Sequence, residues 1–389
     1  MGAVKPLILS GRAAAADIAR LGTERQSWRL RSPVYFPSCQ RDAALIASHD
    51  DWELAQAHGY ELAIAREERP VQASLSYLRL ATEFAELHDG DVVRIHPETR
   101  RVRVLYRRSS KHNFFLVTER CNNYCLMCSQ PPKSVDDGWL IDEIEETLPL
   151  VDPQTTSLTF TGGEPLTDWR RFIGLLSLTR DLLPDTAVHV LTNGRAFASS
   201  EVVSAWAAVG HRKLSAGIPI YAAIDHVHDY VVQAKGAFDQ TVLGILRLKD
   251  CGQRVEIRVV LHAITAPRLR ETCVWLARNL PFVDHVALMG LENTGFAIAN
   301  DEILWMDPID YQVQLADSIE ILSCAGFNVS VYNLPLCVLD PSVRPFAVQS
   351  ISDWKNAYVA ECESCSVRAD CAGFFSTGRP KFSRGIAAI

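Results

Sequence analysis

Three cysteines, Cys121, Cys125 and Cys128, lie close together in the run Cys-Asn-Asn-Tyr-Cys-Leu-Met-Cys. Such a loop can wrap its sulfurs around one compact, soft, electron-poor centre. Thiolates select zinc, Cu(I) or iron–sulfur clusters among biological metals. A structural zinc site or an ordinary cluster takes four protein ligands. This loop offers three and holds no His, Asp or Glu as a fourth. Three thiolates on a four-iron cluster would leave one iron open to an outside ligand. The alternative is a zinc knuckle completed by a distant cysteine.

A second group lies near the end of the chain. Cys337 is followed by Cys362-Glu-Ser-Cys365 and then by Cys371. Four cysteines suffice to close a tetrathiolate site, with zinc or an iron–sulfur cluster. By spacing alone zinc fits well, since CxxC pairs recur in structural zinc sites. Cys39, Cys251, Cys273 and Cys324 show no ligand spacing and read as buried small hydrophobes. His226-Val-His228-Asp229 offers two histidines and an acid. The i, i+2 spacing keeps them off one helical face, so a loop and helix start is the reading.

The elements that must position these residues follow from composition and pattern. The chain has 389 residues, 48% hydrophobic and 22% charged, ordinary for a protein with a real core. Its net charge of −7 argues against gripping a phosphate backbone, so no nucleic-acid partner is expected. No apolar run reaches the length of a membrane span. The first residues are too short an apolar stretch for a secretory signal. Eleven cysteines without an export signal should be reduced or metal-bound, which places the protein in the cytoplasm.

Residues 1–110 read as a small α+β domain. Ala- and Leu-rich stretches at 11–22 and 50–66 look helical. Asp91 to Arg108 alternates as a hairpin turning at His96-Pro97-Glu98-Thr99. Its short strands would leave an edge open to a peptide or a partner chain. A cap on the main domain is the other reading.

From 111 to 330 the pattern is regular. Apolar runs at 113–118, 157–161, 187–191, 216–221, 255–262 and 284–289 alternate with helical stretches. Six such units indicate parallel βα repeats with right-handed crossovers. They are too few for an eight-stranded closed barrel, so an α/β fold with a partial (β/α)6 barrel is expected. Residues 331–389 form a Cys-rich extension. Ligands in parallel α/β folds sit at the carboxyl ends of strands. The Cys loop follows the first strand, Gly162-Gly163-Glu164-Pro165 the second and Thr192-Asn193-Gly194-Arg195 the third. Paired glycines permit close backbone approach to a ligand. Glu164 could receive a ligand's ammonium group, with a tight strand-to-helix turn as the plain alternative.

At these residues the chain resembles the radical S-adenosylmethionine (SAM) superfamily. Cys121, Cys125 and Cys128 match its CxxxCxxC loop, and Gly162, Gly163 and Glu164 its GGE-type motif. The resemblance implies a 4Fe-4S cluster whose open iron is chelated by SAM, and an external electron donor. One-electron reduction then cleaves SAM to methionine and a 5′-deoxyadenosyl radical, which takes a hydrogen atom from substrate. It makes Cys121, Cys125 and Cys128 catalytic as well as metal ligands. Gly162, Gly163, Glu164 and Asn193 would seat SAM. Met127 replaces the aromatic residue common before the last cysteine, and its thioether could pack on adenine. Arg258 could meet the SAM carboxylate or pair with a structural acid.

The tail resembles the SPASM or shorter twitch extension of radical SAM peptide maturases. Cys362, Cys365 and Cys371 match its CxxCx₅C part, but Phe375 stands where a further cysteine is usual. That implies one auxiliary 4Fe-4S cluster on Cys337, Cys362, Cys365 and Cys371.

Several stretches, among them 125–132, Gly236-Ala-Phe-Asp239, 334–339 and 371–375, are similar to the C-type His-Xaa-Ser system radical SAM maturases. This implies a ribosomally made peptide substrate and a second radical SAM maturase as partner. The expectation is a radical SAM peptide maturase. The alternatives are a small-molecule radical SAM enzyme with an auxiliary cluster, and a non-enzymatic zinc-stabilised protein.

Overall fold

The computed structural model describes residues 10–18, 24–68, 75–81, 84, 86–349, 356–375 and 381–389. The N-terminal region is one eight-stranded sheet. Its strands are β1 (Ser10–Arg12), β2 (Ala15–Asp17), β3 (Gln26–Arg31), β4 (Asp42–Ile46), β5 (Leu62–Ala65), β6 (Ser76–Arg79), β7 (Val92–His96) and β8 (Arg101–Tyr106). They lie in the order β1-β8-β7-β3-β4-β5-β6-β2, and β3 to β6 run parallel. One helix, α1 (Asp50–Ala57), joins β4 to β5.

The helices expected at 11–22 and 50–66 are corrected here. Of the first stretch, residues 19–22 lie outside the described residues, and the rest carries β1 and β2. The second is helical only to Ala57. Gly59 then takes a left-handed φ of 77° and turns the chain into β5. All four residues of β5 are buried. A parallel strand covered on both faces is apolar without alternation, and short Ala- and Leu-rich runs of that kind read equally as helix.

The expected hairpin is present as β7 and β8, but it has no open edge. β7 pairs with β3 and β8 with β1. The sheet edges are β1 and β2, three residues each.

The central sheet has seven parallel strands in chain order. They are β9 (Asn113–Thr118), β10 (Ser157–Gly162), β11 (Ala187–Leu191), β12 (Leu214–Pro219), β13 (Arg254–Leu261), β14 (His285–Gly290) and β15 (Val329–Tyr332). Helices α2 (Trp139–Thr147), α3 (Trp169–Leu182), α4 (Ser200–Ala208), α5 (Asp225–Val232), α6 (Ala237–Asp250), α7 (Leu269–Asn279), α8 (Phe296–Ala299), α9 (Asp301–Leu304) and α10 (Gln312–Cys324) lie between them. β9 and β15 are the two edges, so the barrel is partial, as expected. The sheet carries one strand more than the six read from sequence. β15 is only Val-Ser-Val-Tyr, too short for a strong apolar signal, and the expected boundary at 330 falls inside it.

The N-terminal sheet is joined to the barrel. Val92 and Tyr106 belong to the barrel's main apolar core. Glu143 on α2 is buried and pairs with Arg94 of β7 at 3.2 Å and with Arg103 of β8. Tyr106 Oη meets Thr155 Oγ1 at 2.7 Å. In the tail, β16 (Asn356–Ala357) pairs antiparallel with β17 (Phe374–Phe375).

Candidate active site

The site is built where β9, β10 and β11 end. Thr118, Glu119 and Arg120 lead from β9 into Cys121. Asp137, 2% exposed, grips this lead. Its Oδ2 accepts Thr118 Oγ1 at 2.8 Å and the Glu119 N–H at 2.6 Å, and its Oδ1 accepts Arg120 Nε at 3.0 Å. Burial works to raise its pKa, but these donors outweigh it and hold the carboxyl below its ordinary value.

Gly162 and Gly163 bring the next loop against that lead. The β9–β10 register shifts between Thr161 and Gly162. The Gly163 N–H donates to Thr118 O and the Glu164 N–H to Arg120 O, both at 2.8 Å. A Cβ on Gly162 would lie 2.3 Å from Thr118 O, and one on Gly163 2.1 Å from Arg120 O. The close approach that needs these glycines is thus to the chain's own backbone. These glycines, expected to seat a cofactor, have this positioning role in the structure as well.

Glu164 is 1% exposed. Its Oε1 accepts the Leu166 N–H at 3.0 Å and Thr192 Oγ1 at 2.7 Å, and its Oε2 accepts the Asn193 N–H at 2.6 Å. Burial raises its pKa, and the three donors pull the other way. Three of about four acceptor positions on a carboxylate are therefore filled by this chain, leaving room for one further donor. Asn193 continues the network, donating from Nδ2 to Asn122 Oδ1 at 2.6 Å. Arg195 donates to Asn122 O at 2.8 Å, to Asn123 Oδ1 at 2.6 Å and to Gln240 Oε1 at 2.7 Å. The sequence reading singled out Asn193 alone here. Asn122, Asn123, Arg195 and Asp137 were missed, although Arg195 stands in the loop already assigned to the barrel mouth.

The cysteine loop is held from its other side as well. The Tyr124 and Leu126 N–H groups donate to Val232 O and Val231 O at the end of α5, at 3.0 and 2.9 Å. The Phe296 N–H donates to Cys128 O at 2.8 Å, and Asn300 Nδ2 to Leu126 O at 2.8 Å. Met127 is buried in an apolar cluster with Tyr221, Val231, Val232, Ala237, Ala297 and Leu304. Its side chain, expected to pack on adenine, packs the loop onto α5 and α8. Cys121, Cys125 and Cys128 lie within electrostatic reach of one another. Burial pushes the Cys121 thiol up to about 11 and the Cys125 thiol to about 12. Free thiols here stay protonated at neutral pH, and a positive centre is what would draw out the thiolates. Three thiols in one loop with no other ligand type beside them suit a four-iron cluster. Among the described residues no three His, Cys, Asp or Glu side chains are set around one metal ion.

Arg258 lies on the inner face of the sheet. Its Nη1 meets Glu256 Oε1 at 2.7 Å and its Nη2 meets Met289 Sδ at 3.0 Å. Glu256 Oε2 also meets His285 Nδ1 at 2.8 Å, and His285 Nε2 meets Ser330 Oγ at 2.9 Å. Burial works against the Glu256 charge, but His285, His189 and Arg258 hold its pKa down to about 2. Of the two roles expected of Arg258, the pairing with a structural acid is present in the structure. His228 is buried and accepts the Tyr221 N–H at 3.2 Å, while the Asp229 carboxylate accepts the N–H groups of Gly236 and Phe238. These are helix-packing and capping roles, as the spacing indicated.

In the tail, Cys337, Cys362, Cys365 and Cys371 line one small cavity together with Tyr358 and Arg368. Cys371 Sγ accepts N–H groups from Leu336 and Gly373, both at 3.4 Å. Sulfurs that accept backbone N–H bonds suit thiolate ligands. Of the four remaining cysteines only Cys273 is buried. Cys39, Cys251 and Cys324 are exposed, which corrects their reading as core residues.

No curated relative matches the chain. Several solved structures are similar to part of the chain. SuiB from Streptococcus suis bound to S-adenosylmethionine gives a TM-score of 0.45 at 14% identity, covering 56% of this chain and 49% of that one. Native anSMEcpe with bound AdoMet gives 0.44 at 18%, covering 56% and 62%. A radical SAM methyltransferase from Sphaerobacter thermophilus gives 0.45 at 15%, covering 64% and 74%. The chain thus spans about half the length of SuiB. No helix among the described residues is long and apolar enough to cross a membrane. The model of the Radical SAM superfamily matches residues 115–276, from within β9 to within α7, a stretch that takes in the cysteine loop, the GGE turn and the Arg195 clamp.

Proposed function

We propose that this chain is a cytoplasmic radical SAM peptide maturase with one auxiliary cluster. Cys121, Cys125 and Cys128 would hold the first four-iron cluster, which would supply the electron that cleaves SAM. The observation that carries the finer reading is the tail cavity lined by all four remaining ligand candidates. Cys337, Cys362, Cys365 and Cys371 would hold the second cluster there, in the manner of a SPASM or twitch extension. Glu164 has one acceptor position left for the SAM ammonium, and its main work is to lock the loops that shape the SAM seat. Asn193 and Arg195 fix the Cys loop; Gly162 and Gly163 let the loops meet.

The peptide substrate, of His-Xaa-Ser type, and the partnership with a second maturase rest on the sequence resemblance. A structure of SuiB bound to precursor peptide SuiA is among those of similar fold, but the reading does not lean on that likeness. Since the β7–β8 hairpin is paired on both sides, the partner contact moves elsewhere on the N-terminal sheet. Val34, Tyr35 and Phe36 are consecutive and each more than half exposed. Tyr60 Oη donates to Tyr35 O at 2.8 Å, His58 Nδ1 meets Pro33 O at 2.9 Å, and Phe36 stacks on His58 with centroids 4.0 Å apart. A rigidly held apolar loop of this kind is a contact surface. Co-expression with a His-Xaa-Ser peptide and its partner maturase should give a mass shift on the peptide. An unmodified peptide beside active SAM cleavage would favour a small-molecule substrate.

A further inference from the structure

Resting on the reading of Cys121, Cys125 and Cys128 as ligands of the first cluster, we infer that Asn123 raises that cluster's reduction potential by donating hydrogen bonds to two of its thiolate sulfurs, and that Arg195 sets the direction of the Asn123 amide.

Asn123 stands inside the cysteine loop and is 3% exposed. Its backbone N–H donates to Cys121 Sγ at 3.4 Å. Its Oδ1 accepts from Arg195 Nη1 at 2.6 Å. A guanidinium only donates, so it takes the oxygen end of the amide and turns the nitrogen end away. That nitrogen end acts as a donor on the Cys125 thiol. One residue thus serves two of the three sulfurs, one through its backbone and one through its side chain.

Arg195 is itself fixed. Its Nε donates to Gln240 Oε1 on α6 at 2.7 Å, and its Nη1 donates to Asn122 O in the cysteine loop at 2.8 Å. A flipped Asn123 amide would set its oxygen against a thiolate and its N–H₂ group against the guanidinium. Both contacts are unfavourable, so the clamp holds the donor toward the sulfur.

The consequence follows from charge. Reduction adds one negative charge to an iron–sulfur cluster, and its ligand sulfurs share that charge. Cys125 packs against the apolar cluster around Met127, Tyr221 and Val231. Apolar surroundings solvate added charge poorly. N–H donors to the sulfurs stabilise the reduced form more than the oxidised form, and so raise the potential. At Cys125 the Asn123 amide offsets the apolar side of the loop.

The test is a potentiometric titration of the full chain after anaerobic reconstitution, followed by electron paramagnetic resonance with and without SAM. The signal that changes on adding SAM reports the first cluster, and a signal that does not is the internal reference. Asn123→Leu keeps the approximate shape of the side chain, removes the amide and leaves the backbone N–H to Cys121 in place. The first-cluster potential should fall by ~59 mV, a tenfold change in a one-electron equilibrium, with the reference unmoved. Asn123→Asp keeps an oxygen for Arg195 and puts a second oxygen where Nδ2 stood. Its potential should fall at least as far, and it serves as the test should the leucine variant load no iron. Arg195→Leu should lower the potential in the parent and much less in the Asn123→Leu background. Equal effects in both backgrounds would overturn the orienting role of Arg195. Potentials equal to the parent's in the Asn123 variants, with iron retained, would overturn the assignment and leave the cluster reading standing. A parent without any SAM-responsive signal would overturn the cluster reading, and the assignment with it.

Discussion

Glu164 Oε2 accepts the backbone N–H of Asn193 at 2.6 Å. That bond ties the loop after β10 to the loop after β11, and the Asn193 side chain carries the tie on to Asn122 in the cysteine loop. Glu164→Gln turns one acceptor into an N–H₂ group facing backbone donors. The expected cost is about 1–3 kcal/mol of stability, with weaker SAM binding from loosened loops. Denaturant midpoints and equilibrium dialysis with SAM check this. A variant equal to the parent in both would remove Glu164 from the account.

Glu143 is the joint between the N-terminal sheet and the barrel, buried and paired with Arg94 and Arg103. Glu143→Ala leaves two guanidinium groups facing a buried gap, one of them, Arg94, largely buried. The expected loss is about 3–5 kcal/mol, read from denaturant unfolding. Val92 and Tyr106 lie in the barrel core, so deleting residues 1–108 should destabilise the barrel too. A stable, cluster-loaded truncation would show the sheet to be dispensable to the barrel.

The exposed loop Val34-Tyr35-Phe36 carries the proposed partner contact. Tyr35→Asp with Phe36→Ser should abolish co-purification with the partner maturase. Iron content and thermal stability should stay near the parent's, since these side chains lie outside the apolar cores. Undiminished co-purification would place the contact elsewhere.

Acid should destabilise the protein in a defined window. Burial draws the pKa values of His189, His228 and His262 down from 6.5 to about 4. Between those values the unfolded chain binds more protons than the folded one, so stability rises with pH. Above 6.5 the effect is absent; below it each group removes up to about 1.4 kcal/mol per pH unit until its folded pKa is reached. Glu256, held down to about 2, acts in the same direction below the ordinary Glu range. The melting temperature should fall markedly from pH 7 to pH 5. A flat profile across that span would contradict the neutral state of these histidines.

Much of this was legible in the sequence because the chemistry is local. Cys121, Cys125 and Cys128 share one loop, and Gly162-Gly163-Glu164 follows the next strand. The packing partners of Met127, Arg258 and the glycines were not, because they come together only once strands and loops are assembled. Met127 packs with Tyr221 and Leu304, Arg258 pairs across a strand face with Glu256 and Met289, and Gly163 yields to Arg120 O. Arg195 and Asp137 were missed for the same reason: a lone charged residue shows its partner only once the loops are brought together. The helix expected across 50–66 failed where a buried parallel strand carries no alternation.

The central claim is that two separate cysteine groups each hold a four-iron cluster. Iron, sulfide and zinc content of anaerobically reconstituted protein tests it most directly. Roughly eight irons per chain are expected in the parent, and roughly four after triple Cys→Ala replacement at 121, 125 and 128. The replaced protein should form no 5′-deoxyadenosine when reduced with SAM. Roughly four irons with one zinc in the parent would contradict the auxiliary cluster, and no iron in either protein would contradict the account as a whole.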